Sequence, residues 1–332
     1  MTTTTTNEAN TAPTKKTVLV TGAAGFVGRQ VVKALAGDDD VNVVATDLRP
    51  VSRRDQLEGV TYETLDICAD DMAPLFASLD VDVVVHLAAI VTPTKDTTRD
   101  LQHKVDVEGT QAVLDACVAA DVDQFIYTSS GAAYGYHADA PALLQEEDLL
   151  RGNDVFAYSC HKREVEEMLA RVRVEHPQLQ QLIFRVSSVL GPDVNNQITA
   201  MFERPVVVGL KESDTPFCFI DADDVAQVIV KGVHEGSAGI FNLAADGVMT
   251  LREIADAMGN KYVALPEKLV QGALGLMQKF DAAPYGPEQT LFLKHRPVLD
   301  NSRLKTEFGF TPSGTSREVF ARYRDARLSA GR

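Results

Sequence analysis

The chain has no apolar run long enough to span a membrane and no hydrophobic signal core. A membrane partner is therefore not expected. Positive charge is scarce: 32 Lys and Arg stand against 47 Asp and Glu, a net charge of −15. A surface of that sign repels phosphate backbones, so nucleic acid is not expected as a general partner. The four cysteines (Cys68, Cys117, Cys160 and Cys218) lie far apart and never at metal-ligand spacing. They read as free thiols of a cytoplasmic protein, and no metal site is expected. No internal repeat and no long linker divides the chain. Residues 2–16, TTTTTNEANTAPTKK, hold almost nothing apolar, and residues 1–16 read as a disordered tail.

What is present is ordinary core-forming material, 45% hydrophobic over 332 residues, arranged in a strong rhythm. TVLV (Thr17–Val20) runs into TGAAGFVG and then into RQVVKALAG, a strand, glycine turn and helix. VNVVATD (41–47), VTYETLD (60–66), VDVVVHLAA (81–89), QFIYTSS (124–130) and LIFRVSS (182–188) read as further strands. The nearly continuous apolar run at 81–89 suggests burial on both faces. Helices are expected at about 106–120 and 154–175. This alternation implies right-handed crossovers and a parallel, doubly wound α/β sheet of Rossmann type. Residues 17–190 form the expected dinucleotide-binding domain. Residues 191–332 form a smaller, mostly helical substrate-binding region, with 222–245 returning to the first domain. Within it Thr250 and Glu253 make a capping-box signature for the helix TLREIADAM.

Gly22, Gly25 and Gly28 form GxxGxxG between the first strand and the first helix. Gly22 allows the tight turn, Gly25 lets backbone approach a pyrophosphate, and Gly28 lets the helix pack on the strand. Asp47 ends the second strand, where a carboxylate accepts hydrogen bonds from the adenosine ribose and repels a 2′-phosphate. This favours NAD over NADP, although Arg49, Arg53 and Arg54 follow closely.

YSCHK (158–162) places Tyr158 and Lys162 one turn apart on one helix face. Alone, such a pair is commonplace. Beside a dinucleotide site, a lysine and a nicotinamide charge together can bring a phenol well below its usual pKa of about 10, so that it serves as an acid–base. TSSGAAYG supplies Ser129 and Ser130 at the carboxyl end of the fifth strand, where α/β sheets place ligands.

With these motifs in this order, the chain resembles the extended branch of the short-chain dehydrogenase/reductase superfamily, the group of NAD-dependent epimerases and dehydratases. TGAAGFVG, LDI with Asp66, HLAA, TSSGAAYG, YSCHK, RVSSVLGP, FIDADDVA, FNLA and DNSRLKTEFGF all resemble its landmarks, from about Thr17 to beyond Phe310. The resemblance implies NAD contacts at Gly22, Gly25, Phe26, Val27, Gly28, Asp47, Leu48, Asp66, Ile67, Leu87, Ala88, Ala89, Tyr158 and Lys162. It implies Ser130, Tyr158 and Lys162 as catalytic residues and Ser130, Ser188 and Arg296 as substrate contacts. By the same resemblance His86 and Ser129 are structural, Cys160 and His161 are packing or surface residues, and one acid of Asp221, Asp223 and Asp224 is a helix cap. A homodimer built on the helices after HLAA and YSCHK is also implied.

The sequence departs from the family pattern in several places. DVEGT, with Asp106, replaces an asparagine block that shapes the active-site helix and its water relay. Ser188 stands where nucleotide-sugar enzymes carry asparagine, and Lys211 is the only cation near a position usually held by arginine. Gly131 and Ala132 replace the acidic pair of sugar 4,6-dehydratases, which sets dehydration aside. Three readings follow. The first is an epimerase-like enzyme on a nucleotide-linked or other carbohydrate. The second is a dehydrogenase or reductase of a hydrophobic alcohol, resembling the hydroxysteroid enzymes. The third is a non-catalytic NAD-sensing protein, which the presence of Ser130, Tyr158 and Lys162 disfavours.

Overall fold

A computed structural model describes residues 15–94, 96–280 and 286–330. The tail expected over 1–16 lies outside the described residues except for Lys15 and Lys16, and Lys16 already pairs with Val41 in the sheet. Seven strands form one sheet: β1 (Lys16–Thr21), β2 (Val41–Asp47), β3 (Val60–Thr64), β4 (Val83–His86), β5 (Gln124–Ser130), β6 (Gln180–Val186) and β7 (Gly239–Leu243). Their order is β7-β6-β5-β4-β1-β2-β3, every pairing parallel.

Each face of the sheet is covered, which explains the unbroken apolar strands. Val18, Val20, Val83, Val85 and Ile126 enter one core cluster with α1 (Phe26–Ala36). Leu19, Val84, Phe125 and Tyr127 enter the other. That second layer also holds α2 (Ala73–Ser78) and the helix between β4 and β5. The apolar spacing places that helix at 106–120, but it begins earlier. It consists of α3 (Arg99–His103), a π-helical turn (Lys104–Glu108) and α4 (Gly109–Ala119). Thr98 caps it, its side chain accepting the Leu101 N–H at 3.1 Å, so a polar N-cap outranked the apolar periodicity that set the sequence boundary.

The helix carrying YSCHK is α5 (Ala157–Glu175). Beyond it lie α6 (Gln197–Phe202), α7 (Ala222–Glu235), α8 (Leu251–Met258), α9 (Glu267–Lys279), α10 (Gln289–Lys294), α11 (Ser302–Thr306) and α12 (Ser316–Ala330). Phe202, Phe217, Phe219 and Phe320 are fully buried in ring-to-ring contact and carry the core of the sheet into this later region. Val206–Leu210 and Lys261–Leu265 add a small parallel pair that the sequence reading did not anticipate. Strand order reverses between β1 and β4, and this switch point is where an open α/β sheet forms its ligand crevice.

Candidate active site

The loop after β1 and the segment after β4 meet at the switch point. Gly22 has φ +68°, and a Cβ there would lie 2.7 Å from the Ala88 amide nitrogen. A Cβ on Gly28 would lie 2.2 Å from the Gly22 carbonyl oxygen. Backbone therefore packs on backbone throughout this cradle, and no larger residue fits at either position. α1 opens at Gly25 with no side-chain cap and no acid in its first turn, so its N-terminal amides face any bound anion uncontested. Asp47 stands at the end of β2 beside the loop. Its Oδ2 accepts the Ala24 N–H at 3.0 Å and its Oδ1 the Arg49 N–H at 3.0 Å. The Arg49 side chain is exposed, its Nε 3.9 Å from the same carboxylate. Leu48 is exposed beside Asp47, and Ile67 is buried behind Asp66. These residues fit a dinucleotide.

His86 connects this cradle to the helix behind it. Thr21 Oγ1 accepts the Leu87 N–H at 3.2 Å, and Thr110 Oγ1 donates to the Asp106 carbonyl at 2.7 Å. The Thr21 hydroxyl proton is therefore free for His86 Nδ1 at 2.7 Å, and His86 Nε2–H donates to Thr110 Oγ1 at 3.0 Å. Burial, reinforced by the Lys162 charge, lowers the His86 pKa to about 3, so the ring is neutral. The residue holds structure, as its strand-end position implied.

At the carboxyl end of β5, Ser130 stands beside Tyr158, where its hydroxyl favours the phenolate. Lys162 follows one turn along α5. It is buried, and its Nζ donates to the Tyr127 hydroxyl and the Thr128 carbonyl, each at 2.8 Å. Nζ lies 5.7 Å from the Tyr158 ring centroid. Burial lowers the Lys162 pKa to about 8, with Asp106 and Glu166 opposing. Around Tyr158 the protein's own groups act in the opposite sense to the charge that a nicotinamide would bring. Burial pushes the Tyr158 phenol above the ordinary value; the Ser130 hydroxyl works against this, while Asp106 and Tyr136 add to it. The protein's own groups thus keep this phenol protonated, because the low-dielectric site penalises a phenolate more than its single polar neighbour helps it.

Ser129 is structural: its hydroxyl donates to Glu166 Oε1 at 2.5 Å. His161 and Cys160 are both buried. His161 does more than pack, since its Nδ1 lies 3.3 Å from Asp106 Oδ2. Asp221 caps α7, accepting the Asp223 N–H at 3.1 Å. Among the described residues no group of His, Cys, Asp and Glu is placed to hold a metal ion, and no helix is long and apolar enough to cross a membrane.

Ser188 and Arg296, far apart in sequence, touch: Arg296 Nη2 donates to Ser188 Oγ at 3.0 Å. The guanidinium lies 4.0 Å from the Phe217 ring centroid and 4.3 Å from that of Phe292. Its Nε and Nη1 are buried without a hydrogen-bond partner among the described residues. Tyr136 packs edge-on against Phe292, with centroids 5.5 Å apart, and links this cation to the Tyr158 neighbourhood. Tyr127, Tyr136 and Phe292 escaped the sequence reading. Only the alternation of β5, which sends Tyr127 to the α5 side, carried a usable signal.

A family model described as the NAD dependent epimerase/dehydratase family matches residues 18–244. The chain belongs to that family. NAD is accordingly its cofactor, in keeping with the glycine cradle and Asp47. An uncharacterized protein of Mycobacterium tuberculosis is 25% identical, over 93% of this chain and 83% of its own. The ADP-L-glycero-D-manno-heptose-6-epimerase of Cupriavidus pinatubonensis is 27% identical, over 92% of this chain and 97% of its own. Among solved structures, a UDP-glucose 4-epimerase of Thermus thermophilus in complex with NAD superposes with a TM-score of 0.72 at 22% identity. That match covers 95% of this chain and 99% of the other.

Proposed function

We propose that this family member moves a hydride at a secondary alcohol or ketone carbon of a carbohydrate, a nucleotide-linked sugar, in the manner of an epimerase. The convergence of Ser130, Tyr158 and Lys162 at one strand end carries this reading. Bound NAD supplies a hydride acceptor and, in its oxidised form, a positive charge. Tyr158 exchanges the proton of the substrate oxygen, Ser130 orients that oxygen, and Lys162 stabilises the phenolate when it forms. The phenol, held high by burial, gives up its proton only when that additional positive charge is close. Arg296, with Nε and Nη1 unpartnered, suits an anionic acceptor such as a phosphate on the substrate.

The test is turnover of nucleotide-linked sugars, followed by epimer composition and by NADH absorbance. Tyr158→Phe should leave NAD affinity nearly unchanged and lower turnover by roughly 10²–10⁴-fold. Full activity of that variant would end the mechanism. Accumulation of NADH, with one oxidised product and no epimer, would favour the dehydrogenase reading instead.

The same reading includes a homodimer through the outer faces of α4 and α5. The groove between these helices is rimmed by Gln111, Asp115, Val118 and His176, with Leu114 and Val172 buried at its floor. A monomeric mass in light scattering at micromolar concentration would count against it.

A further inference from the structure

Asp106 is 4% exposed. Its Oδ1 accepts the Ile90 N–H at 2.8 Å, tying the segment after β4 to the π-helical turn. An amide oxygen would serve that bond as well, whereas withdrawing a carboxylate from water costs several kcal/mol. A buried charge with no structural need of its own is compensating another charge, and the surrounding groups identify which one.

On β6, Arg185 is already engaged by Glu166 of α5 through bonds of 2.6, 2.9 and 3.0 Å. On β4, His86 is neutral. On α3, His103 stands half-exposed between Glu108, at 3.2 Å, and Glu164, at 3.4 Å. Lys162 remains. Its hydrogen bonds go to the uncharged oxygens of Tyr127 and Thr128, and Asp106 and Glu166 are the acids that raise its pKa. Glu166 is spent on Arg185 and Ser129. His161, next to Lys162 in the chain, reaches the second oxygen of Asp106.

We infer that Asp106 and His161 form a positioning pair for Tyr158 and Lys162. The Asp106 carboxylate fastens the cofactor segment to the catalytic helix and brings a negative charge to the buried end of that helix where Lys162 lies, while His161 holds that carboxylate in place. The charge has a second effect of opposite use: it adds to the burial that keeps the Tyr158 phenol protonated. The replacement of asparagine by Asp106 is therefore not damage to the site but a change in its proton balance. The inference rests on the proposed roles of Tyr158 and Lys162.

Its test needs neither substrate nor cofactor. The side-chain ¹³Cε resonance of Lys162, assigned by its loss in Lys162→Met, is titrated by NMR in the wild type and in Asp106→Asn. The carboxamide keeps an acceptor for Ile90 and removes the charge, so the Lys162 midpoint should fall by roughly half a pH unit or more. Asp106→Glu, which restores the charge, should bring it back toward the wild-type value. A midpoint in Asp106→Asn within about 0.2 pH unit of wild type would overturn the pair.

His161→Gln keeps a donor to Asp106 without any capacity for charge. It should leave the Lys162 midpoint unchanged or raise it, and a fall would overturn the pair. If Asp106→Asn fails to fold by circular dichroism, Asp106→Ser, which also removes the charge, decides the matter by the same midpoint. The expected Lys162 shift together with full activity of Tyr158→Phe would sink the proposed reaction but support the pair. An absent shift together with an inactive Tyr158→Phe would do the reverse.

Discussion

Arg185 Nη2 stands 2.6 Å from Glu166 Oε2, with both side chains almost wholly withdrawn from solvent. The pair joins β6 to α5 one turn beyond Lys162. Arg185 Nη1 also donates to the Tyr134 hydroxyl and to the Glu146 carbonyl, each at 2.8 Å. The helix that carries Tyr158 and Lys162 is thus anchored from beneath by an ion pair with few unfilled bonds.

Breaking that pair on one side leaves the partner charged, buried and alone. Glu166→Gln should destabilise the protein by about 3–5 kcal/mol in urea denaturation. The double variant Glu166→Met/Arg185→Met should recover much of the loss, because no bare charge then remains. A single variant costing less than about 1 kcal/mol would show that water reaches the site.

His86 makes stability depend on pH. Its folded pKa of about 3 lies below the unfolded value near 6.5, so between those limits the unfolded chain binds the extra proton. This contribution is fully present above about pH 6.5 and is lost as pH falls toward 3, up to roughly 4–5 kcal/mol in all. His86→Gln should flatten the dependence of unfolding free energy on pH between 6.5 and 4 relative to wild type. Parallel curves for the two proteins would refute the neutral-imidazole assignment.

Asp47 is expected to set the cofactor preference. Its carboxylate faces the loop from the end of β2, and Arg49 alone of the nearby arginines lies within ion-pairing distance of it. Binding of NAD should be tighter than that of NADP at matched salt, and Asp47→Ala should narrow the gap by weakening NAD and admitting NADP. Calorimetric titration with both cofactors measures this directly. Tighter NADP binding in the wild type would assign Arg49, Arg53 or Arg54 to the 2′-phosphate.

Arg296→Met keeps volume against Phe217 and Phe292 while removing the cation. For a phosphate-bearing substrate, KM should rise at least about tenfold with kcat much less affected, since the lost contact lies away from the reacting carbon. An unchanged KM would move the anion site elsewhere.

The sheet was legible because parallel strands buried on both faces leave unbroken apolar runs, and β5 matches its sequence boundaries at Gln124 and Ser130. β4 is shorter than its run, since Leu87–Ala89 continue the apolar pattern while leaving the sheet to close over the glycine loop. Gly22 and Gly28 were legible because their requirement is local. Tyr158 and Lys162 were legible as spacing. Arg185–Glu166, Ser188–Arg296 and Asp106–His161 were not, because each is a meeting of side chains brought together only by tertiary packing. The surroundings of the Tyr158 phenol were hidden for a related reason. Its spacing from Lys162 was visible, but the burial around it was not.

The π-helical turn at Lys104–Glu108 has a consequence for how this active site tolerates change in length. Such a turn is one surplus residue wound into an otherwise regular helix. Removing any one of those residues would tidy the helix into plain α geometry, a locally favourable edit. It would leave α3 and α4 in phase, because the turn absorbs the surplus residue, but it would redirect the side chains of the turn itself. Asp106 would swing away from Ile90 and His161 while α4 stayed packed on the sheet. The irregularity therefore sets a direction: the chain can substitute freely around this helix, but it cannot lose a residue from the turn and keep Asp106 aimed at the site.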